Sequence, residues 1–321
     1  MTFPEPSASV RIAVIGVGHL GRHHARILAT LPHVELVGVV DTNRARADEV
    51  SRTVGTQLVE RASDLVGRVD AVTVAVPTAR HDEIARPWLE RGVHVLVEKP
   101  MARTLAEADA MIAAARGRAT LAVGHTERFN PAVMTARPLV RDPRFIEVHR
   151  LGIFPDRSLD IDVVFDLMIH DLDVVLSLVP ADVESIEAVG VPVLTGHVDI
   201  ANVRLRFRNG CIANLTASRI SRDRVRKIRF FQPAAYLSID YAAQKVEAWR
   251  LTQGSGPMPS IEGGDVPVPA DEPLRRELED FVTAIRERRD PLVTGSEGRR
   301  ALALAQQIAD RMEEARALPK S

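Results

Sequence analysis

Cysteine is nearly absent from this chain of 321 residues; Cys211 stands alone. One thiol cannot make a disulfide within the chain, a multi-cysteine zinc site or a dithiol redox motif. Cys211 opens a strand-like stretch, residues 211–215, and reads as a small core residue rather than a nucleophile. Excess charge is absent too. The formal net charge is −1, which argues against a nucleic-acid or membrane partner engaged by the molecule as a whole. Long apolar runs are also missing. The longest candidate, residues 163–179, contains Asp166, His170, Asp171 and Asp173, so it is no membrane span. Residues 1–10 lack the basic and apolar regions of a signal peptide, and a cytoplasmic location is expected. No internal repeat or low-complexity tract suggests a solenoid or a linker array.

What is present is ordinary globular material. Apolar residues are 45% of the chain and charged residues 26%, enough for one large or two medium domains. From residue 11 to about 125, short β-rich runs at 11–15, 35–40, 71–75, 94–97 and 121–123 alternate with helical patterns near 20–31, 43–54, 80–91 and 104–116. Apolar strands alternating with helices predict a parallel, doubly wound sheet, an α/β Rossmann domain over residues 1–125. After that the pattern changes. One long helix is predicted over about 161–179. Strands then follow without helices between them, at 183–191, 198–206, 212–218, 225–231, 236–239 and 245–250. This predicts an α+β second domain, residues 126–321, with a largely antiparallel open sheet. Residues 253–273, rich in Gly and Pro, read as an irregular excursion. Helices at 273–289 and 296–316 close the chain, the first with Leu274, Leu278, Phe281, Val282 and Ile285 on one face.

The stretch Gly16-Val17-Gly18-His19-Leu20-Gly21 is G-x-G-x-x-G between a strand and a helix. Gly16 permits the tight turn, Gly18 lets a pyrophosphate approach the backbone, and Gly21 allows close helix–strand packing. The helix N-terminus offers free amides to the phosphates. A second strand ends at Asp41, where a carboxylate can accept both ribose hydroxyls and repel a 2′-phosphate. The expected cofactor is therefore NAD, with NADP the lesser choice because Arg44 and Arg46 stand close by.

The strand pattern at 94–97 runs into Glu98-Lys99-Pro100, at the carboxyl end of the sheet where ligands bind. The helix over 161–179 carries Asp162, Asp166, His170, Asp173 and Ser177 within an arc of about 80° at about 100° per residue. That is a narrow polar stripe on a greasy helix and suits a functional cavity. Asp166 lies one turn before His170 and can orient its imidazole, which suits removal of a proton from a hydroxyl. Asp171 falls off the stripe and reads as structural. With one histidine on the stripe, a metal site is not expected.

These three motifs, in this order and spacing, resemble the Gfo/Idh/MocA oxidoreductases over nearly the whole chain, including the ending from Glu277 to Phe281, Pro291 and residues 298–304. The resemblance implies a Rossmann domain with an open sheet that forms an oligomer interface. It also implies hydride transfer between a nicotinamide and a sugar or cyclitol C–OH. It places Gly16, Gly18, His19, Leu20, Gly21, Asp41, Pro77, Thr78, His81, Glu98, Lys99 and Arg128 at the cofactor. It places Lys99 and His170 at the reacting hydroxyl, with Asp166 behind His170, and implies a cis Lys99–Pro100 bond. The chain departs from many members at Asp162-Val163-Val164-Phe165, where they carry a glycine pair, so no substrate pose is carried over.

A narrower resemblance, through residues 157–160, 166–171 and 218–229, is to bacterial UDP-N-acetylglucosamine 3-dehydrogenases, which act on the way to lipid A variants. It implies a UDP-sugar substrate, with Arg157, Arg219 and Arg226 beside Lys99, Asp166 and His170 as its contacts. It also implies a downstream aminotransferase. The second-domain sheet is expected to bury one face on its own helices and leave the other, apolar face to a partner subunit, in a homodimer or homotetramer. The alternatives left open are a dehydrogenase of another sugar, uronate or cyclitol, a non-catalytic NAD or sugar-nucleotide sensor, and a structural partner of another enzyme.

Overall fold

A computed structural model describes residues 9–154, 161–253 and 260–317. They fall into two compact units. The first comprises the described residues up to Thr126 together with Glu272–Arg300; the second comprises Glu127–Asp271 and the residues from Ala301 on.

The first unit is a five-stranded parallel sheet in the order β2-β1-β3-β4-β5. The strands are β1 (Val10–Ile15), β2 (Val34–Val40), β3 (Ala71–Val74), β4 (His94–Glu98) and β5 (Leu121–Gly124). Every residue of β3, β4 and β5 is buried, as expected for parallel strands with helices on both faces. The connecting helices are α1 (Gly21–Leu28), α2 (Arg44–Val54), α3 (His81–Glu90) and α4 (Leu105–Ala115). Local chemistry sets their ends. The Asn43 side chain accepts the Arg46 amide and starts α2, and Gly55, at φ 71°, stops it. Thr104 and Glu107 form a capping box on α4.

The predicted division at 125/126 assigned all later residues to the second domain. The structure corrects this. In α7 (Pro273–Glu287), Leu278, Phe281, Val282 and Ile285 pack into the core of the first unit with Val10, Ile12 and Leu28. The predicted apolar face was right, and its partner is the Rossmann sheet. Truncating a buried phenylalanine such as Phe281 to alanine costs about 3–5 kcal/mol.

The second unit contains α5 (Pro131–Ala136) and an eight-stranded sheet in the order β13-β12-β11-β10-β6-β9-β8-β7. Its strands are β6 (Phe145–Leu151), β7 (Val183–Val191), β8 (Ile200–Phe207), β9 (Ile212–Ser218), β10 (Val225–Gln232), β11 (Ala235–Asp240), β12 (Lys245–Thr252) and β13 (Ser260–Val266). All neighbours are antiparallel except β6 and β9, which run parallel. Alternation gives the sheet two faces. On β8, Ala201, Val203, Leu205 and Phe207 point into the core while Asn202, Arg204 and Arg206 point out. The core face packs on α6 (Ile169–Leu178) and on Ala301, Leu304, Ala305, Ile308 and Met312 of α8 (Gly295–Ala317).

The other face was expected to be apolar and is instead mixed. Asn202 bonds Thr216, Arg204 bonds Asn214 and Arg229 bonds Glu147. Beside them Phe145, Phe231, Tyr236 and Trp249 lie in register across four strands, a cross-strand aromatic ladder.

Two further expectations are corrected. The Gly/Pro-rich segment 253–273 contains a regular strand, β13, along its described part. Gly263 and Gly264 have φ of 149° and 146°, and a Cβ on Gly263 would lie 2.0 Å from the Ala248 carbonyl oxygen. Gly263 there serves close strand pairing. The predicted helix over 161–179 is also not a single α-helix: a π-helical turn, Val164–Met168, precedes α6.

Candidate active site

The three glycines stand in different surroundings. Gly16 has φ 87°, and a Cβ there would lie 2.6 Å from the Ala75 carbonyl oxygen. A Cβ on Gly21 would lie 1.8 Å from the Gly16 carbonyl oxygen. Around Gly18 there is nothing within 4 Å. Two glycines thus pack the turn, and the third faces open space where a pyrophosphate can approach the amides leading into α1. His19 and Leu20 are exposed in the same loop.

Asp41 follows β2. One carboxylate oxygen accepts the Val17 amide at 2.8 Å, and the other accepts the Asn43 amide and Arg46, each at 2.8 Å. Burial works to raise its pKa, but Arg46 and the two amides outweigh burial and hold the carboxylate charged. An anion pinned beside the glycine turn is the expected partner of a ribose diol. Arg46 is drawn to that anion rather than left to attract a 2′-phosphate. The open cradle at Gly18 and the fixed Asp41 fit NAD, which would be held by these residues.

At the carboxyl end of β4 the chain turns through Glu98, Lys99 and Pro100, with the Lys99–Pro100 bond cis. Lys99 is half-buried. Glu98, expected at the nicotinamide ribose, is 5% exposed. Its Oε1 meets His24 Nε2 at 2.9 Å and its Oε2 accepts the Lys99 amide at 3.2 Å. Burial works to raise the Glu98 pKa, but His24, Lys99 and His81 pull it below the ordinary value. The structure therefore gives both oxygens internal duties. His81 is likewise drawn inward: Nδ1 lies 2.9 Å from the Pro100 carbonyl oxygen and Nε2 2.9 Å from that of Val76. Burial pushes its pKa down. Pro77 and Thr78, in the loop beyond β3, keep exposed surface. Among the described residues one group has metal-ligand chemistry, His24, Glu98 and Glu277, with donor atoms within 4.8 Å of one another. Within it His24 bonds Glu98, and Glu277 accepts the Thr126 hydroxyl at 3.0 Å.

In the second unit the polar stripe is broken up. It was reckoned at α-helical pitch, whereas the π turn winds wider, so residues before Met168 are rotated against those after it. Asp162 accepts the Val198 amide at 2.7 Å. Asp173 is buried against Arg128 at 3.3 Å, and Ser177 bonds its own helix at Val174. Asp166 and His170 alone among the five combine partial exposure with positions at the junction of the π turn and α6. Arg128, expected beside the nicotinamide, is a buried strut of the second unit through Asp173.

The support beneath His170 was not foreseen, apart from the structural reading of Asp171. Arg150 on β6 grips Asp171 with two bonds, 2.6 and 3.0 Å, and meets Glu127 at 3.0 Å. Its guanidinium lies 5.2 Å from the centre of the Tyr241 ring. Burial works against charge on Arg150, but the two carboxylates outweigh it and raise its pKa. Sequence reasoning missed this network because it missed β6, where an inward arginine interrupts the apolar alternation. His24 was also missed. Its signal was a histidine on the inner face of α1 one turn after Gly21.

The basic segment 219–229 is split by strand alternation. Arg219 is 1% exposed and serves the fold: it bonds the Val198 carbonyl at 2.9 Å, reaches the Ile161 carbonyl and pairs with Asp199. The expectation that Arg219 meets substrate is corrected, since its surface is spent inside. Lys227 and Arg229 lie on the mixed face, paired to Asp240 and Glu147. Arg226 lies on the opposite face, exposed, and in register with Arg150. Burial of its stem, together with Arg150, pushes its pKa down. Arg157 lies outside the described residues.

A glycine turn with a pinned aspartate, followed by a lysine at the carboxyl end of a parallel sheet, defines a nicotinamide-dependent oxidoreductase. Residues 10–125 match an oxidoreductase family described as having an NAD-binding Rossmann fold, and residues 134–232 match the GFO/IDH/MocA C-terminal domain. The chain is 39% identical over 302 residues to UDP-N-acetylglucosamine 3-dehydrogenase of Acidithiobacillus ferrooxidans, covering 93% of this chain and 96% of that protein. A solved structure of the Acidithiobacillus ferrooxidans enzyme superposes with a TM-score of 0.89 at 38% identity, covering 95% and 98% of the two chains. The scyllo-inositol 2-dehydrogenase (NAD(+)) of Bacillus subtilis is 31% identical over 66% of this chain and 68% of its own. The chain belongs to the Gfo/Idh/MocA family of NAD-binding oxidoreductases.

Proposed function

We propose that the protein is a cytoplasmic NAD-dependent dehydrogenase that oxidises the 3-hydroxyl of UDP-N-acetylglucosamine to a ketone. The observation that carries this reading is the likeness to the Acidithiobacillus enzyme, which extends through both units rather than the dinucleotide fold alone. Arg226, exposed on the helix-covered side of β10, supports it as a cation suited to a diphosphate.

NAD held at the Gly18 cradle and Asp41 would supply the acceptor for the hydride of C3. The hydroxyl proton is assigned to His170 as general base, oriented by Asp166. Lys99 stabilises charge on the oxygen as the carbonyl forms and relays the proton onward. The free 3-keto sugar is labile, so an aminotransferase is the natural next enzyme. The aromatic ladder on the mixed face of the sheet is assigned as the seat of a second copy in a homodimer or homotetramer. A strictly monomeric mass in light scattering at assay concentration would contradict that assembly.

The test of the substrate is incubation with UDP-N-acetylglucosamine and NAD, with an aminotransferase and glutamate to trap the ketone, followed by mass spectrometry. NADH and the amino sugar are expected. No product, together with turnover of a free hexose or cyclitol, would overturn the substrate and leave the family in place.

A further inference from the structure

Lys99 is bracketed by two buried imidazoles that the chemistry above does not use. Before it, His24 reaches across from α1 and bonds the carboxylate of Glu98, whose second oxygen accepts the backbone amide of Lys99 itself. After it, His81 at the start of α3 stands between the carbonyl oxygens of Pro100 and Val76, one at each ring nitrogen, and as a neutral ring donates to one of them. Both histidines are sealed from solvent. Burying an imidazole costs desolvation that an apolar side chain of similar size avoids. What the imidazoles supply in return is direction: His24 bonds the Glu98 carboxylate, and His81 with its proton on Nδ1 donates to the Pro100 carbonyl. The fold also makes room for the arrangement. A Cβ on Gly124 would lie 3.1 Å from the Glu98 carboxyl carbon, so glycine there leaves the carboxylate its place.

We propose that His24 and His81 are positioning residues for Lys99: they fix the backbone of the 98–100 turn from both sides, and His24 ties that turn to the helix that follows the glycine turn. A lysine side chain is long and flexible, so its ammonium is placed only as well as its backbone is. A displacement of about 1 Å in a reacting group costs on the order of a hundredfold in rate. The proposal rests on the assignment of Lys99 to the reaction.

The chain makes the test readable, because its only lysines are Lys99, Lys227, Lys245 and Lys320. Reductive methylation with 13C-formaldehyde gives four side-chain resonances and that of the amino terminus, and Lys99→Met identifies the one from Lys99. The full chain is compared with His24→Ala, His81→Ala, His24→Gln and His81→Asn. Glutamine places an amide donor where Nε2 meets Glu98, and asparagine places one where Nδ1 meets Pro100. Each alanine variant is expected to lose on the order of tenfold to a hundredfold in kcat, with the sugar KM little changed. Its Lys99 resonance should shift or broaden without any ligand present. The glutamine and asparagine variants should recover most of both, and they carry the test if an alanine variant fails to fold. Alanine variants that lose only thermal stability, with wild-type kcat and an unmoved Lys99 resonance, would overturn the proposal. So would folded glutamine and asparagine variants that recover neither readout. Wild-type turnover in Lys99→Met would instead sink the assignment of Lys99 to the chemistry, while the resonances would still report whether the histidines position it.

Discussion

Lys99 and His170 are held by different chemistry. The turn carrying Lys99 is gripped by histidines, one carboxylate and backbone amides, all close to the carboxyl ends of strands. The helix carrying His170 rests on full charges: Arg150 between Asp171 and Glu127, and Arg128 against Asp173. Hydrogen bonds at strand ends fix a short piece of backbone. Buried arginine–carboxylate pairs anchor a whole helix from beneath, at the cost of extreme sensitivity to losing one partner. The first arrangement should fail in rate before it fails in stability, and the second should fail in stability first.

The sharpest break of that contrast is Arg150→Met. Removing the guanidinium leaves the buried Asp171 and the half-buried Glu127 without their counter-charge and should cost about 3–5 kcal/mol in urea unfolding. A loss under about 1 kcal/mol would mean that the network is better solvated than its burial implies.

Next come the two residues proposed for the reaction. Lys99→Met or His170→Ala should lower kcat by about two orders of magnitude, equivalent to about 2.7 kcal/mol of barrier. His170→Ala should leave NAD binding intact in a fluorescence titration. Wild-type turnover in the double variant would remove both from the site.

Asp199 asks whether the second unit can also hold a carboxylate largely with amides. It is fully buried, accepts the amides of Val193, Leu194 and Thr195, and pairs with Arg219. Burial works to raise its pKa, yet the amides and the Thr195 hydroxyl bring it down to about 2 from 3.8. A depressed acid stabilises the fold above its unfolded pKa and loses that contribution as pH falls through its folded value. Asp199→Asn should therefore cost about 2 kcal/mol at pH 7, with about half of that difference gone by pH 3. A cost that does not change with pH would show that shape rather than charge is being lost.

The smallest effect is expected at Asp41. Asp41→Ser should erode the preference for NAD over NADP by about tenfold, or about 1.4 kcal/mol. Tighter NADP binding by the wild type would contradict the reading of this carboxylate.

The same contrast explains what was legible in the sequence. The first unit announces itself because its requirements are steric and local. Only glycine fits at Gly16 and Gly21, and fully buried parallel strands read as unbroken apolar runs. The second unit hides its support because ion pairs join residues far apart in the chain. Arg150 and Asp171 are 21 residues apart, and Arg150 on a core-facing position disguised β6 altogether. Asp166 and His170 were legible as candidates, but the π turn that sets their relative angle leaves no periodicity signature of its own. Composition also misled at two places. Gly263 of β13 marked close pairing rather than a loop, and the cations of 219–229 do not act together: Arg219 is buried between β9 and β10, while Arg226 and Arg229 lie on opposite faces of β10.

The chain visits each unit twice, because α7 returns to the first and the later part of α8 to the second. During synthesis this order delays completion. When residue 271 has emerged, the first unit still lacks Leu278, Phe281, Val282 and Ile285, and the second still lacks Ala301, Leu304, Ala305, Ile308 and Met312. Neither core can close until nearly the last helix leaves the ribosome. The nascent chain must keep two half-covered apolar sheets from aggregating for most of its translation. A stop codon after residue 271 should therefore yield insoluble protein rather than a free Rossmann domain.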